Sequence, residues 1–405
     1  MNNHFGNLFL LSYRGFKQFK SSSLVASFSI AIAGGLFLST LKVKEGAENS
    51  FTHSSGGFNA VLGARGSSLQ LVLNSIFHLE ASPGNLDWEE YELIKSTRGV
   101  SEAYPIAVGD NYMGYRLVGT LSELFLEHEW KIGNKYKIEK GRIFSDSAKE
   151  ALVGKFVASK LGLKIGDKFH PYHGLTFRES SKHDDIYVVV GILEATGTPA
   201  DKVIWVPIKG IQHMEGHAQE YLNSVSAVLL NLKGIREPMD LYSKYNRRSN
   251  EATLVWPINK TIADFFKRLT WFEKILQWVA YMIGLMSCML VLAILQNSIN
   301  ERKREFAILR CLGASRSFLV QVVMSQSIII SMLGGLGSLI IYFTTSSLSS
   351  YYIREETGVL LEPFHIDITY VFVFLSIILL GLISAILPSF SVYRVDINKN
   401  LQHAS

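Results

Sequence analysis

The chain has 405 residues, of which 48% are hydrophobic and 19% are charged, and its formal net charge is +5. Four long stretches without a charged residue hold 110 residues, which is more apolar chain than one water-soluble core absorbs. The composition therefore indicates a membrane protein and excludes a fully soluble enzyme.

The first 20 residues predict an amphipathic helix that lies on the inner surface of the membrane. Apolar residues recur there with a spacing of about 3.6 residues, the period of an α-helix. The residues that keep this period are Phe5, Leu8, Phe9, Phe16 and Phe19, with Arg14 and Lys17 on the opposite side. Leu10 and Leu11 do not fit the period. The segment is expected to lie at the interface rather than to span it.

The four uncharged stretches predict four transmembrane helices, because about 20 apolar residues cross the hydrocarbon layer. The predicted spans are residues 21–41, 275–300, 317–352 and 368–393. A cleaved signal peptide is the alternative for the first stretch. That stretch is longer than the roughly 7 to 15 apolar residues of a signal peptide, and no small-x-small cleavage pattern precedes Lys42, which favours a retained span.

The distribution of basic residues predicts the orientation in the membrane. Three short segments together carry ten Lys and Arg residues, whereas the short loop 353–367 carries Arg354 alone. The basic segments are 1–20, 301–316 and 394–405. Because short cytoplasmic loops are enriched in basic residues, both termini and residues 301–316 are expected in the cytoplasm. Residues 42–274 then lie outside it, and their near-neutral charge gives no indication of nucleic-acid binding.

Residues 42–274 predict a large mixed α/β domain between the first and second spans. Short runs rich in β-branched residues predict strands at 58–62, 186–193, 203–206 and 225–232. The predicted helices are 87–98 and 146–161, ended by Gly99 and Gly162. The two cysteines, Cys288 and Cys311, lie outside this segment, so no disulfide is expected to stabilise it.

Eight of the eleven histidines lie in the outer segment, but their pattern does not predict a metal site. His213 and His217 are four residues apart in HMEGH, a spacing at which two helical histidines can bind one metal ion. This run differs from HExxH and supplies no general base. The other grouped residues are His170 and His173, and His183 beside Asp184 and Asp185. Solvated or structural histidines are the favoured interpretation, and a metal site is the alternative.

Small residues recur every four positions in two predicted spans. In lipid, such stripes let helix backbones approach each other closely. The residues are Ser27, Ala31, Gly35 and Ser39 in the first span, and Ser327, Ser331 and Gly335 in the third. The stripes are expected either to pack helices within one subunit or to form the seam of a dimer.

Residues 301–316 form a short segment, ERKREFAILRCLGASR, between the second and third spans. The segment is too short to bury a core, yet it combines many charges with an apolar patch. The patch consists of Ile308, Leu309 and Leu312. Because proline is absent from 258–362, the second helix is predicted to continue inward, to end at Gly313 and to restart with Ser315 as N-cap. An ordinary positive-inside loop is the alternative.

This segment resembles the signature of the FtsX/MacB family of ABC transporter permeases, ERxxEhhhLRxhGAS. The matching residues are Glu301, Arg302, Glu305, Leu309, Arg310, Gly313, Ala314 and Ser315. The runs LGLKIGD and LPSFSVYRVDINKNL are similar to further family elements, and GARGSSLQLVLNSIFH and GILEATGTPADKVIWVPI resemble its small four-span, DevC- and HrtB-like branch. One departure is Gln326, where many relatives carry Glu. An uncharged Gln argues against a proton or cation role there.

The resemblance implies a type VII, mechanotransmission ABC system of a bacterial cytoplasmic (inner) membrane. The implied fold is an α-helical membrane protein with four transmembrane helices and a large mixed α/β, MacB-like extracytoplasmic domain. A homodimer would assemble with two copies of a separate ATPase, which binds ATP and Mg, and an adaptor or other extracytoplasmic partner can join it. The residues assigned to ATPase coupling are Glu301, Arg302, Arg304, Glu305, Arg310, Gly313, Ala314 and Ser315. The implied output is export or extraction of a hydrophobic or amphipathic substrate.

The chain has no recognisable nucleotide-binding motif of its own. A P-loop needs a Gly-Lys pair followed by Ser or Thr, and the pair Gly154–Lys155 is followed by Phe156. We therefore expect no cofactor in this chain and ATP hydrolysis in a partner. Two alternatives are a non-transporting regulator of an outer-face hydrolase and a membrane receptor with a large sensor domain. The size of the outer segment favours the transporter over the regulator, and four spans with a charged connection argue against the receptor.

Overall fold

The computed structural model describes residues 4–214, 222–248, 251–361 and 367–393. The described chain divides into two compact units. The helical unit comprises the described parts of Met1–Glu45, Leu269–Ser349 and Glu362–Ser405, and the α/β unit comprises those of Gly46–Arg268 and Ser350–Leu361.

The helices and strands follow one another along the chain in three blocks: long helices, a strand-rich region and long helices again. The helices are α1 (His4–Gln18), α2 (Lys20–His53), α3 (Ser68–Ser75), α4 (Trp88–Lys95), α5 (Glu123–Glu127), α6 (Lys155–Leu161), α7 (Ile208–Gln212), α8 (Arg236–Ser243), α9 (Ile258–Arg268), α10 (Thr270–Glu301), α11 (Lys303–Cys311), α12 (Arg316–Thr357) and α13 (Ile368–Tyr393). The strands are β1 (Ala60–Ala64), β2 (Leu86–Asp87), β3 (Val100–Tyr112), β4 (Tyr115–Thr120), β5 (Glu129–Lys131), β6 (Asn134–Lys135), β7 (Ile138–Gly141), β8 (Glu150–Val153), β9 (Lys168–Phe169), β10 (Tyr172–His173), β11 (Tyr187–Leu193), β12 (Ile204–Pro207), β13 (Ser224–Val225), β14 (Ala227–Leu232) and β15 (Ala252–Val255).

Four helical stretches among the described residues are long and apolar enough to cross a membrane. They are Lys20–His53, Ile258–Glu301, Arg316–Thr357 and Ile368–Val392. The helices α2 and α12 extend past the predicted ends of their spans, to His53 and Thr357. A helix keeps its internal hydrogen bonds where its sequence becomes polar, so hydropathy marks the apolar part of a helix and not its end.

The α/β unit is built on one mixed sheet. Within its described residues, eleven strands pair in the main order β15-β1-β14-β3-β4-β12-β8-β11-β7, with β10 paired to β3 and β9 to β11. The pairs β4–β12 and β8–β11 are parallel. Most of this unit lies in the sequence between the first and second spanning helices, so the predicted fold class is confirmed.

Apolar side chains cover both faces of the sheet. In β8, Ala151 and Val153 belong to one buried cluster, and Leu152 belongs to a second cluster. Successive side chains of a strand point to opposite faces, so the two clusters lie on the two sides of the sheet. Burial on both faces explains why these strands appear in the sequence as continuous apolar runs.

The four predicted strands lie within two residues of β1, β11, β12 and β14. The helix predicted over 146–161 is wrong in its first half, because residues 150–153 form β8 between β11 and β12. An apolar run that is buried from both faces favours a strand over the helix that its length suggested. The second half is α6, and Gly162 follows it with φ +68° as expected for a helix end.

Candidate coupling site

Residues 301–316 connect α10 to α12 through one short helix and one turn. After α10 ends, Arg302 has φ −98° and ψ 11°, and α11 then begins. Helical hydrogen bonds continue across this point. The Arg302 N–H donates to the Ser298 carbonyl at 3.1 Å, and the Phe306 N–H donates to the Arg302 carbonyl at 3.0 Å. The second spanning helix therefore continues into the segment with one distortion at Arg302.

A glycine and a serine end α11 and begin α12. Gly313 has φ +95°, a left-handed conformation that glycine adopts without steric cost. The Ser315 hydroxyl accepts the Phe318 N–H at 3.1 Å, as an N-cap does. The Arg310 guanidinium donates to the Ala314 carbonyl at 2.8 Å across the turn. The helix end and the cap lie at the residues where the sequence analysis expects them.

One face of α11 is anchored in the core of the helical unit. Phe306 is 2% exposed and Ala307 is fully buried. Phe306 shares a buried cluster with residues from α2, α10, α12 and α13, and Leu309 packs against that cluster. Because protein interiors are close-packed, a displacement of α11 must also displace side chains of these helices.

The opposite side of α11, together with the residues that flank its two ends, is charged and carries two exposed apolar side chains. Ile308 is 44% exposed and Leu312 is 79% exposed. The exposed charged residues near them are Glu301, Lys303, Arg304 and Glu305. An exposed apolar pair surrounded by charges is typical of a surface that binds another protein. We call the surface formed by these six residues the coupling face.

Arg302 is not part of the coupling face because its side chain is buried. It is 3% exposed, and its Nε donates to the Glu305 carboxylate at 2.9 Å. Its guanidinium carbon lies 5.2 Å from the centre of the Phe306 ring. In this arrangement the Arg302 side chain contacts Glu305 and Phe306, and its assignment to ATPase coupling stays a prediction.

The N-terminal helix packs on the same region at Gly15. A Cβ atom at this position would lie 2.6 Å from Arg302 Nη1 and 2.9 Å from Gln326 Oε1, so either side chain would have to move to make room for it. The Ser12 hydroxyl of α1 donates to the Val322 carbonyl of α12 at 3.1 Å. The helix expected on the inner membrane surface therefore contacts Arg302 and the third span directly.

The small-residue stripe of the first span lies in the contact between α2 and α12. The Ser27 hydroxyl donates to the Ile330 carbonyl at 3.0 Å. Farther along α2, the Ser39 hydroxyl lies 2.5 Å from the Thr345 hydroxyl. Two hydrogen bonds thus join the same pair of helices, one at each end of the stripe.

Between these two hydrogen bonds the helix backbones approach each other closely. A Cβ atom at Gly35 would lie 2.6 Å from the Ile341 side chain. A Cβ atom at Gly337 would lie 2.7 Å from Ala31 Cβ. Larger residues at these positions would separate α2 from α12, so this stripe packs helices within one chain.

A second close contact joins α12 to α13. A Cβ atom at Gly381 would overlap the Ser331 hydroxyl at 1.8 Å, and one at Gly335 would lie 2.7 Å from the Phe374 ring. The Ser327 hydroxyl donates to the Gly381 carbonyl at 2.6 Å. The stripe of the third span therefore also packs within one chain.

An apolar cavity of about 510 Å³ lies between α2, α10 and α13 in the helical unit. Small residues leave the space, and aromatic and aliphatic side chains line it. The lining includes Gly34, Phe37, Gly284, Leu285 and Phe372. Such a lining suits an apolar group rather than an ion, because it offers little hydrogen bonding.

Of the histidine pair His213 and His217, the structure describes only His213. His213 is exposed, and its ring donates to the Lys209 carbonyl of its own helix at 3.0 Å. His217 lies outside the described residues. The structure therefore gives no support to this pair as a metal site.

Comparisons with known proteins match both parts of the chain. The family model described as FtsX-like permease C-terminal matches residues 278–397, and the model described as MacB-like periplasmic core domain matches residues 23–234, more than half of the chain. No curated protein matches significantly. The extracellular domain of the noncanonic ABC-type transporter YknZ from Gram-positive bacteria is 17% identical, with 49% of this chain and 100% of that one covered and a TM-score of 0.31. The periplasmic region of MacB from Actinobacillus actinomycetemcomitans is 10% identical, with 52% and 94% covered and a TM-score of 0.34.

Proposed function

Because the chain belongs to the family of permeases with an FtsX-like C-terminal region and a MacB-like periplasmic core domain, we propose that it works as the membrane subunit of an ABC-type system driven by a separate ATPase. In this proposal the ATPase binds ATP and Mg and docks on the coupling face. The coupling face, residues 301–316 and both termini then lie in the cytoplasm, and the α/β unit lies outside.

The observation that carries the proposal is the two-sided character of α11. Its exposed side offers Ile308 and Leu312 among charges, while its buried side inserts Phe306 into the core of the helical unit. A partner that moves α11 therefore acts on α10 and α12 together. An exposed loop without such an anchor could move without displacing either helix.

The mechanism follows from the continuity of these helices. Docking and ATP-driven closure of the ATPase displace α11, and the displacement passes into α10 and α12. The last residues of α12, 350–357, belong to the α/β unit, so α12 links the two units through one unbroken helix. Allosteric coupling needs such a physical connection between two arrangements of the protein.

The substrate class that fits best is hydrophobic or amphipathic. The cavity between α2, α10 and α13 is lined almost entirely by apolar atoms and lies in helices that are apolar enough to span a membrane. A hydrophobic molecule enters such a space from lipid at little cost, whereas an ion would lose its hydration. Export or extraction of such a molecule, by a homodimer with two ATPase copies, is the proposed output.

Co-purification tests the docking part of the proposal. The tagged full chain is isolated from its native membranes in mild detergent, and bound proteins are identified by mass spectrometry. We expect a P-loop ATPase among them. In Leu312→Asp, a charge replaces the most exposed apolar residue of the coupling face, and we expect at least about a tenfold loss of bound ATPase, as at a central interface residue.

The matched control is Ile132→Asp, because Ile132 is 97% exposed in the α/β unit. This variant should retain the ATPase at the wild-type level. Equal retention by Leu312→Asp would show that docking occurs elsewhere. Absence of any P-loop ATPase from the wild-type preparation would overturn the proposed function itself.

A further inference from the structure

Three side chains with metal-binding atoms meet in the α/β unit. They are Asp110 of β3, His173 of β10, and His183, which precedes β11. One Asp110 carboxylate oxygen lies 3.3 Å from His173 Nδ1 and 3.2 Å from His183 Nε2. All three ligand atoms lie within 4.8 Å of one another. Asp110 lies 63 positions before His173 and 73 positions before His183, and the two histidines are ten positions apart. The fold therefore brings the three side chains together.

The backbone places Asp110 and His173 side by side. These two residues are direct partners in the antiparallel pairing of β10 with β3. The register of β3 against β4 shifts between Val108 and Asp110, an irregularity of the kind that redirects a side chain. The neighbouring Asn111 fixes β10 further, since its side-chain amide donates to the carbonyls of Tyr172 at 3.2 Å and Gly174 at 2.9 Å.

The third residue is held by the same local structure. The His183 N–H donates to the Pro171 carbonyl at 2.9 Å, and the His183 carbonyl accepts a hydrogen bond from the His170 ring at 3.1 Å. Lys182 forms an isolated bridge with Tyr172. Both histidines of the cluster are therefore positioned by backbone contacts before any ligand binds.

Burial of the Asp110 carboxylate favours a positive charge beside it. The Asp110 side chain is fully buried, His183 is 7% exposed, and the His173 side chain is 61% exposed. Removing a carboxylate from water is unfavourable unless a positive group lies beside it. A cation bound between the carboxylate and the two imidazoles would supply that charge at the point where the three groups converge.

The distances are those that one shared metal ion would give its ligand atoms, and the His183 contact at 3.2 Å also meets the geometry of an ordinary hydrogen bond. Charge-assisted N–H to carboxylate hydrogen bonds are about 2.7 to 2.9 Å long, shorter than both contacts of Asp110. A tetrahedral Zn²⁺ with bonds of about 2.0 to 2.1 Å holds neighbouring ligand atoms about 3.3 to 3.4 Å apart. The distances of 3.2 and 3.3 Å correspond to two edges of such a tetrahedron. The third edge, between the ligand atoms of the two histidines, is no longer than 4.8 Å.

We propose that Asp110, His173 and His183 bind one Zn²⁺ ion in the α/β unit. Two imidazole nitrogens and one carboxylate oxygen are a common donor set for Zn²⁺, whereas Mg²⁺ and Ca²⁺ select oxygen ligands. Three protein ligands leave the fourth tetrahedral position open. This site is independent of the proposed function, because it lies in a different unit from the coupling face.

The bound ion would have a structural effect and leave an accessible ligand position. It would tie the mostly exposed residues 172–183 to the central strand β3 at both ends of that stretch. His173 also lines a partly polar cavity of about 470 Å³ together with Arg116, Gln212 and Ser226. The exposed side of the site therefore borders a space large enough for a small molecule.

Metal titration of the full chain tests the site. The protein, purified in detergent without a histidine tag and stripped with a chelator, is titrated with Zn²⁺ against a chromophoric chelator. We expect one Zn²⁺ per chain. In His173→Gln and in Asp110→Asn, we expect affinity to fall by at least about tenfold, because a ligand is lost from the metal. His173 is exposed, so its replacement should leave the unit folded even if Asp110→Asn does not.

The control variant is His213→Gln, which removes an exposed histidine of the same unit and should leave affinity unchanged. Substitution with Co²⁺ gives a second readout, since a tetrahedral Co²⁺ site has intense visible absorption that His173→Gln should abolish. Hydrogen exchange in 172–183 should slow when Zn²⁺ is added to the wild type. Absence of stoichiometric uptake, or equal affinity in wild type and His173→Gln, would leave only a hydrogen-bonded cluster and overturn the proposal.

Discussion

The α/β unit and the helical unit are each stabilised internally by a different kind of interaction. In the α/β unit, aliphatic and aromatic side chains on both faces of a sheet are removed from water, which is the dominant favourable term in the folding of such a unit. In the helical unit, large apolar side chains such as Trp278, Leu336 and Phe372 are more than 50% exposed, as expected of residues that face lipid. Its helices share one smaller apolar cluster around Phe306, and they otherwise meet through glycines and hydroxyl groups. The comparison indicates that burial stabilises one unit, whereas close fit and hydrogen bonds stabilise the other.

The largest expected effect is a loss of stability caused by creating a cavity in the α/β unit. Leu152 in β8 is fully buried, and Leu152→Ala removes one methine and two methyl carbons from a packed site. We expect the free energy of unfolding of this unit to fall by about 2 to 5 kcal/mol. Hydrogen exchange measured by mass spectrometry on peptides from β8 and β11 reports this loss, because their strands lie in the same sheet.

Ile132→Ala is the control for Leu152→Ala. Ile132 is 97% exposed, so its truncation should change unfolding by no more than about 0.5 kcal/mol. A similar loss in both variants would show that burial does not dominate the stability of this unit, and the contrast with the helical unit would fail.

The sequence predicts much of this contrast but not its details. Four spans and four central strands could be located, because uncharged stretches and β-branched runs depend on local sequence. The strand β8 was assigned to a helix because its burial from both sides depends on β11 and β12, which are distant in the chain. Pairing of distant strands is not visible in the sequence of any one segment.

The next expected effect is a pH dependence confined to the α/β unit. Burial, and to a smaller extent the nearby Arg116 guanidinium, together lower the pKa of His78 from its ordinary value of 6.5 to about 3. The unfolded chain then binds a proton more readily than the folded one, so stability falls as the pH drops below about 6.5, the unfolded pKa, towards 3. At pH 5, about 1.5 units below the unfolded pKa, the free energy of unfolding is expected to be lower by about 2 kcal/mol.

His78→Asn isolates this contribution. Asn does not titrate in this range and is well suited to the backbone of residue 78, whose φ is +55°. Urea unfolding of the full chain, followed by hydrogen exchange at pH 7 and pH 5, should show a smaller pH effect in the variant for α/β-unit peptides. Peptides from 316–349 contain no acidic residue or histidine and should change little. Equal pH effects in variant and wild type would exclude His78 as the cause.

The sequence located the helix end and the N-cap of the candidate coupling site, but it did not show which of its side chains are buried. Gly313 and Ser315 were identifiable because a helix end and an N-cap require particular residue types at particular places. The burial of Arg302 was not, since it depends on Gly15 and Gln326 from two other helices. The cluster of Asp110 with His173 and His183 was missed for the same reason. Its signal in the sequence was limited to His183 and the pair His170 and His173.

The smallest expected effect tests the helical unit, where a single hydroxyl joins two spans. Ser27→Ala removes the hydrogen bond to the Ile330 carbonyl while leaving the small side chain that α12 requires. We expect a loss of about 0.6 kcal/mol, the average for side-chain hydrogen bonds between membrane helices, because the separated helices also find polar partners. Ser376→Ala is the matched control, since the Ser376 hydroxyl is exposed and donates within its own helix to the Phe372 carbonyl at 2.7 Å. Unfolding of the detergent-solubilised chain by a second, denaturing detergent measures both variants. If Ser376→Ala were as destabilising as Ser27→Ala, the hydrogen bond between α2 and α12 would contribute nothing, and close backbone contact at Gly35 and Gly337 would account for the association alone.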